Sequence, residues 1–119
     1  MFTERDVKVT CLPAERTVRA AIFCELDHHT ARPIREKIDA SLLAEKPDLL
    51  ILDFSDVKFM DSSGIGLILG RLSLCEEIGA SVEVTGLSGT LARVVRLSGI
   101  GKMPRLRIAA TNEKGEQSR

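Results

Sequence analysis

Two short segments hold most of the side chains able to do chemistry. The first is Phe59-Met60-Asp61-Ser62-Ser63-Gly64-Ile65-Gly66. A carboxylate, two hydroxyls and two glycines in this order suit a loop that opens into a helix. Asp61 or Ser62 can accept hydrogen bonds from the free N–H groups of the first turn, and Gly64 and Gly66 lack Cβ atoms, so another backbone can approach closely. Phe59 and Met60 just ahead of the cap suit a hydrophobic staple, a purely structural role. Yet paired hydroxyls and glycines cost helix propensity in a first turn where Glu or Ala would serve better. A helix N-terminus carries partial positive charge and accommodates an anion. A phosphoryl group on Ser62 would be held there without unfolding the chain. It would add about −1.5 to −2 charges beside Asp61 and make a close-packing surface anionic and hydrated. A partner seated on that surface would be repelled.

The second segment is Glu25-Leu26-Asp27-His28-His29-Thr30, where a strand again gives way to a helix. Asp27 would stand beside the Asp61–Ser62 loop if the two strands are neighbours. His28-His29 reads as a solvated pair. Adjacent histidines point in different directions and no third ligand has suitable spacing, so no metal site is expected. Asp27, a histidine and Ser62 do supply the residue types of a nucleophilic triad. A Ser/His hydrolase is therefore the alternative from another class, although Ser62 does not sit in a Gly-x-Ser-x-Gly elbow. There is no Gly-x-x-x-x-Gly-Lys-[Ser/Thr] loop, so no cofactor is expected and any nucleotide affinity should be weak. Cys11, Cys24 and Cys75 are odd in number and far apart, with no Cys-x-x-Cys pair. Each has apolar neighbours and is expected to be a small buried hydrophobe.

The elements that must position these residues follow from periodicity. Asp6 to Leu12 and Thr17 to Leu26 alternate as strands, with Val7, Val9 and Cys11 on one inner face and Val18, Ala20, Ile22, Cys24 and Leu26 on the other. The turn Pro13-Ala14-Glu15-Arg16 makes them an antiparallel hairpin. Thr30 can cap a helix to about Glu45, with Pro33 in its first turn and Ile34, Ile38 and Leu42 as its buried stripe. Leu49 to Phe54 is a continuous apolar run that suits a central strand covered on both faces. A second helix should run from Ser62 or Ser63 to Ile78, with Ile65, Ile68, Leu72 and Cys75 inward and Gly79 as its stop. A strand over Ser81 to Thr85, a helix capped by Ser88 and closed at Gly99, and a strand from Leu106 to Ala109 complete the order β-β-α-β-α-β-α-β. The expected fold is a single small α/β domain over residues 1–110 with a mixed sheet, followed by a polar, flexible tail at 111–119.

Composition narrows the function classes. The 119 residues carry 17 basic and 17 acidic side chains, no Trp or Tyr, and four Phe. Balanced charge argues against a general nucleic-acid binder, and few aromatics leave little for stacking bases. Five basic residues (Arg93, Arg96, Lys102, Arg105, Arg107) lie between Val84 and Asn112 with no acidic residue among them, and read as a solvated helix face, with a patch for an acidic partner as the alternative. No run reaches the roughly 18 apolar residues of a membrane span, and no apolar signal core is present, so a cytoplasmic location with no membrane partner is expected.

The pair Glu25-Leu26-Asp27-His28-His29-Thr30 and Phe59-Met60-Asp61-Ser62-Ser63-Gly64, with Ile68-Leu69-Gly70-Arg71 and Leu97-Ser98-Gly99, resembles the STAS-domain anti-sigma factor antagonists, closest to their sporulation branch. The resemblance covers nearly the whole chain in order and spacing. It implies a non-enzymatic protein that binds an anti-sigma factor which is also an ATP-dependent serine kinase, displacing the sigma factor. It further implies phosphorylation of Ser62, release of the kinase, and resetting by a phosphatase. Asp27, Asp61, Ser62, Ser63, Gly64 and Gly66 are then the expected partner-binding residues. A general-stress antagonist of the same family is the nearer alternative. Cys24 departs from the pattern, since close relatives usually have Gly before Glu-Leu-Asp.

Overall fold

In a computed structural model that describes residues 3–109, the chain folds in the expected order. The strands are β1 (Val7–Leu12), β2 (Thr17–Ile22), β3 (Leu49–Asp53), β4 (Ser81–Thr85) and β5 (Leu106–Ile108). The helices are α1 (His28–Glu45), α2 (Ser62–Ile78) and α3 (Gly89–Ser98), inserted after β2, β3 and β4. The sheet order is β1-β2-β3-β4-β5, with β1 antiparallel to β2 and all other pairs parallel. The hairpin forms as the turn residues require, through a 3-10 turn at Pro13–Glu15.

Three successive crossovers step the same way across this sheet. Right-handed crossovers in one direction place every helix on one face. The burial pattern agrees. Val18, Leu50, Val82 and Leu106 are in register across four strands, and Ala20, Leu52 and Val84 form the next row. All seven are buried under Ile34, Ile38 and Leu42 of α1, Leu67, Ile68, Leu72 and Cys75 of α2, and Leu91 and Val95 of α3. The opposite face carries the row Arg19, Ile51, Glu83 and Arg107. There β3 departs from expectation. Leu49 and Ile51 are only half-buried because no helix covers them. On that face Ile51 stands in register between Arg19 of β2 and Glu83 of β4.

Element boundaries shift at the two informative segments. β2 stops at Ile22, four residues short of the alternation. α1 begins at His28, capped by Asp27 rather than Thr30, so Pro33 lies inside the helix rather than in its first turn. Its missing N–H forfeits only one bond near the helix start. α2 and α3 begin and end as expected, at Asp61 and Gly79 and at Ser88 and Gly99. β5 ends at Ile108, and the expected tail at 111–119 lies outside the described residues.

The cysteines divide three ways. Cys75 is buried, Cys24 half-buried and Cys11 exposed. Burial along β1 falls from Val7 through Val9 to Cys11 as the helical cover runs out toward the hairpin, so the expected burial of Cys11 is not met. Desolvation pushes the Cys75 thiol up to about 11, which keeps it a neutral packing group. The five basic residues expected on one helix face are instead spread over α3, the 3-10 turn at Ile100–Lys102, a loop and β5. Two of them are occupied: Arg105 donates to the Ala80 carbonyl at 3.0 Å, and Arg107 lies 3.9 Å from Glu83.

Among the described residues one charged side chain enters the core. Arg71 of α2 is 5% exposed, with its Nε 2.7 Å from Oδ1 of Asp39 on α1. Burial pulls the Arg71 guanidinium down from its usual range and pushes the Asp39 carboxyl up, as when desolvation outweighs mutual attraction. Breaking a fully buried pair costs about 3–5 kcal/mol. Asp39 keeps part of its surface in water, so Arg71→Met should cost less than that in chemical denaturation. Without Arg71, the raised Asp39 pKa means stability is lost as pH rises, so the deficit should be larger at pH 7 than at pH 4. Replacing both residues, Arg71→Met with Asp39→Leu, should recover most of the loss.

Candidate functional site

The site is built by a single pairing beyond the main sheet. After Ile22 and Asp53 both central strands leave the ladder, and they meet again at an isolated parallel bridge between Leu26 and Met60. The Leu26 N–H donates to the Phe59 carbonyl at 3.0 Å, and the Asp61 N–H donates to the Leu26 carbonyl at 3.1 Å. Both bridge side chains are buried. The next residue on each strand is a helix cap, Asp27 for α1 and Asp61 for α2. Two helix N-termini therefore open side by side, as the juxtaposition of Asp27 with the Asp61–Ser62 loop requires.

The two caps use their carboxylates alike. Oδ1 of Asp27 accepts from the amides of His29 at 2.8 Å and Thr30 at 3.0 Å. Thr30 Oγ1 accepts from the Asp27 N–H at 3.1 Å and donates to the Glu25 carbonyl at 2.8 Å, which completes a capping box. Oδ1 of Asp61 accepts from the Ser63 amide at 2.7 Å. In both carboxylates Oδ2 makes no hydrogen bond among the described residues. The Thr30 amide, backed by that of His29, holds the Asp27 carboxyl below its usual range.

Ser62 is the first residue of α2 and is exposed, whereas Ser63 is half-buried. Gly66 faces outward, and a Cβ there would meet nothing within 4 Å. Gly64 does something else. It is buried, and a Cβ on it would lie 2.5 Å from Met60 Sδ and 3.0 Å from Met60 Cβ. Its bare Cα makes room for the bridge residue of its own chain, not for a partner's backbone. Phe59 and Met60 likewise part company: Met60 is 4% exposed and Phe59 50%. Only Met60 packs inward, so Phe59 is not a staple. Phe59 and the half-exposed Phe23 at the end of β2 add apolar surface on the segments leading into the bridge. Sequence reasoning passed over Phe23, because the alternation placed it within a longer β2.

The residues of a hydrolytic triad are not assembled. The rings of His28 and His29 lie 4.0 Å apart, tilted by 38°. Asp27 spends Oδ1 on amides, and among the described residues no imidazole bonds to Ser62.

A sheet of this order, with an exposed serine at the start of α2, can be set beside known proteins. The STAS domain model matches residues 15–114. The chain belongs to the STAS family. The anti-sigma F factor antagonist of Lysinibacillus sphaericus is 38% identical over 85 residues, 71% of this chain and 73% of that protein. The anti-sigma-B factor antagonist of Bacillus subtilis is 30% identical over 112 residues, 94% of this chain and 99% of that one. Among solved structures, the Bacillus cell fate determinant SpoIIAA in its phosphorylated form superposes with a TM-score of 0.66 at 32% identity, over 95% of this chain and 99% of that one. Within the STAS family the chain is an anti-sigma factor antagonist, a regulatory binding protein rather than an enzyme. Among the described residues no helix is long and apolar enough to cross a membrane.

Two outcomes test this STAS-domain site. Gly64→Ala must displace Met60 and should destabilise the fold by about 1–3 kcal/mol, the usual cost of overpacking. Met60→Ala should relieve part of that cost in a double-mutant cycle, whereas Gly66→Ala, with open space for its Cβ, should stabilise the helix by up to about 1 kcal/mol. For Asp27, a depressed folded pKa gives stability that is present above the unfolded value and lost as pH falls through the folded one. The stability difference between wild type and Asp27→Asn should therefore shrink as pH drops below about 4. Equal pH profiles would show that the carboxylate charge at this cap does not contribute.

Proposed function

We propose that the paired N-termini of α1 and α2 form a docking surface for an anti-sigma factor that is also a serine kinase. Ser62 is the residue that kinase phosphorylates. In the unphosphorylated form the surface is compact, with an exposed hydroxyl, the bare Gly66 and apolar Phe59 available for close packing. The observation carrying this reading is the Leu26–Met60 bridge, which sets exposed Ser62 beside two carboxylates that each keep one oxygen uncommitted.

Phosphorylation acts here through charge. A phosphoryl group at Ser62 can accept a hydrogen bond from the Ser62 amide, since Asp61 already takes those of Ser63 and Gly64, so the fold tolerates it. It also adds about −1.5 to −2 charges next to Asp61 and near Asp27. An acidic or apolar partner surface then meets like charge and a tightly held hydration shell, and the complex dissociates. A phosphatase acting on phospho-Ser62 restores the binding form. The sigma factor released is that of sporulation or of general stress. Identity is higher to the sigma-F antagonist over a shorter stretch, and coverage is nearly complete to the sigma-B antagonist. A pull-down from the host that identifies the displaced sigma factor separates the two.

Incubating the purified protein with the host's anti-sigma factor kinase and ATP should place one phosphate on Ser62, mapped by mass spectrometry. Ser62→Ala should bind the kinase and resist release by ATP. Ser62→Asp should bind at least about 10-fold more weakly, given the cost of like charges across an interface. An acidic residue at a helix start stabilises the helix by about 0.3–1 kcal/mol, so the same variant should melt slightly higher than wild type. Phosphate on Ser63 instead of Ser62 would sink the assignment.

A further inference from the structure

A groove of about 520 Å³ runs between α1 and α2, starting at the residues just inside the two caps. Its open end is lined by His28 and Ser63, which adjoin Asp27 and Ser62 in sequence, so groove and docking surface are continuous. Gly66 and Gly70 keep its floor open, since a Cβ at either would meet nothing within 4 Å. Further in, the lining is Arg35 and Arg71.

The charges in the groove do not balance. Asp39 is the carboxylate beside Arg71, and Arg35 acts on both of them electrostatically. Two guanidinium groups thus share one carboxylate. Arg32 is matched separately by Glu36 at 3.4 Å. The hydrogen bonding is also incomplete. The Arg71 side chain is 6% exposed, yet its buried Nη1 has no hydrogen-bond partner, and its Nε lies off the line of a hydrogen bond to Asp39. A buried guanidinium with idle donors is costly to leave unpaired. Its planar fork matches the two oxygens of a carboxylate.

We infer that this groove receives an acidic side chain of the same partner that docks on Ser62, its carboxylate bridging Arg71 and Arg35. The inference rests on the proposed docking role and deepens it. The partner contact is not confined to the two caps but continues along α1 and α2, and is anchored by an ion pair some turns away from the phosphorylated serine. The small residues Gly66 and Gly70 leave the space through which an acidic chain reaches Arg71. A net positive groove beside a serine that becomes anionic gives the partner one anchor that phosphorylation does not erase.

The test is binding of the host anti-sigma factor kinase to wild type, Arg35→Glu and Gly70→Leu at two salt concentrations. Arg35 is exposed, so its reversal leaves the core intact, which circular dichroism checks. Arg35→Glu should weaken binding at least 10-fold at low salt and flatten the salt dependence. Gly70→Leu should weaken binding by closing the groove. In steady-state phosphorylation of Ser62, both should raise KM with little change in kcat. Reversing the matching acidic residue of the kinase to Arg should restore binding to Arg35→Glu and not to wild type. Unchanged affinity and salt slope in both variants, with wild type bound normally, would overturn the groove inference and leave the docking role standing. Failure of the wild type to bind the kinase would overturn both.

Discussion

The Leu26–Met60 bridge is the constraint on which the rest of the site depends. Two parallel strands that simply ended at Ile22 and Asp53 would leave loops free to diverge. Two backbone hydrogen bonds and two buried side chains return them to register for one residue each. Because a helix cap follows immediately on both chains, the bridge fixes the relative position of two helix N-termini rather than of two loops. Asp27, Asp61 and Ser62 all sit one or two residues beyond it. The site is therefore held on a paired backbone and two capped helices rather than on free loops.

Electrostatics give the arrangement its sensitivity. Both caps are carboxylates, and each satisfies its own helix with a single oxygen, Oδ1. The partial positive charge of the two N-termini is thereby largely answered before any phosphate arrives. A further anion at Ser62 finds the Ser63 and Gly64 amides already engaged by Asp61, so little of the charge at the helix start is left to neutralise it. On a chain whose formal net charge is +0, one phosphoryl group is a large fractional change, and it is concentrated where the partner must pack. The cationic groove between α1 and α2 lies on the same surface, which separates an anchoring charge from a switching one.

Much of the fold was legible because the signals were local and periodic. The order of all eight elements, the Asp61 and Ser88 starts and the Gly79 and Gly99 stops follow from spacing and capping chemistry alone. The juxtaposition of Asp27 with Ser62 was legible only as a condition, since strand adjacency is a tertiary fact. The misses have physical causes. β2 ends early because Phe23–Glu25 must bend to let Leu26 reach Met60, and alternation cannot register a bend that later returns to phase. Thr30 has the chemistry of a cap but serves as the reciprocal half of a capping box whose other half is Asp27. The apolar run of β3 reads as doubly covered, yet Leu49 and Ile51 are left half-buried on the face without helices. The Asp39–Arg71 pair spans two helices, and no spacing rule relates them.

The glycines show how closely structure and surface are combined in a few residues. Gly64 and Gly66 sit two positions apart on α2, so they point in different directions. Gly64 faces the bridge, where even a methyl group would collide with Met60. Gly66 faces out beside the groove, where nothing in the chain restrains a larger side chain. The first is explained wholly by packing within this domain. The second has no such explanation, and a glycine costs up to about 1 kcal/mol in a helix interior relative to alanine. Gly70, one turn further along the same line, has the same open surroundings. Two tolerated penalties on one exposed line of a single helix, beside an arginine with unfilled donors, are consistent with a surface shaped to receive another chain.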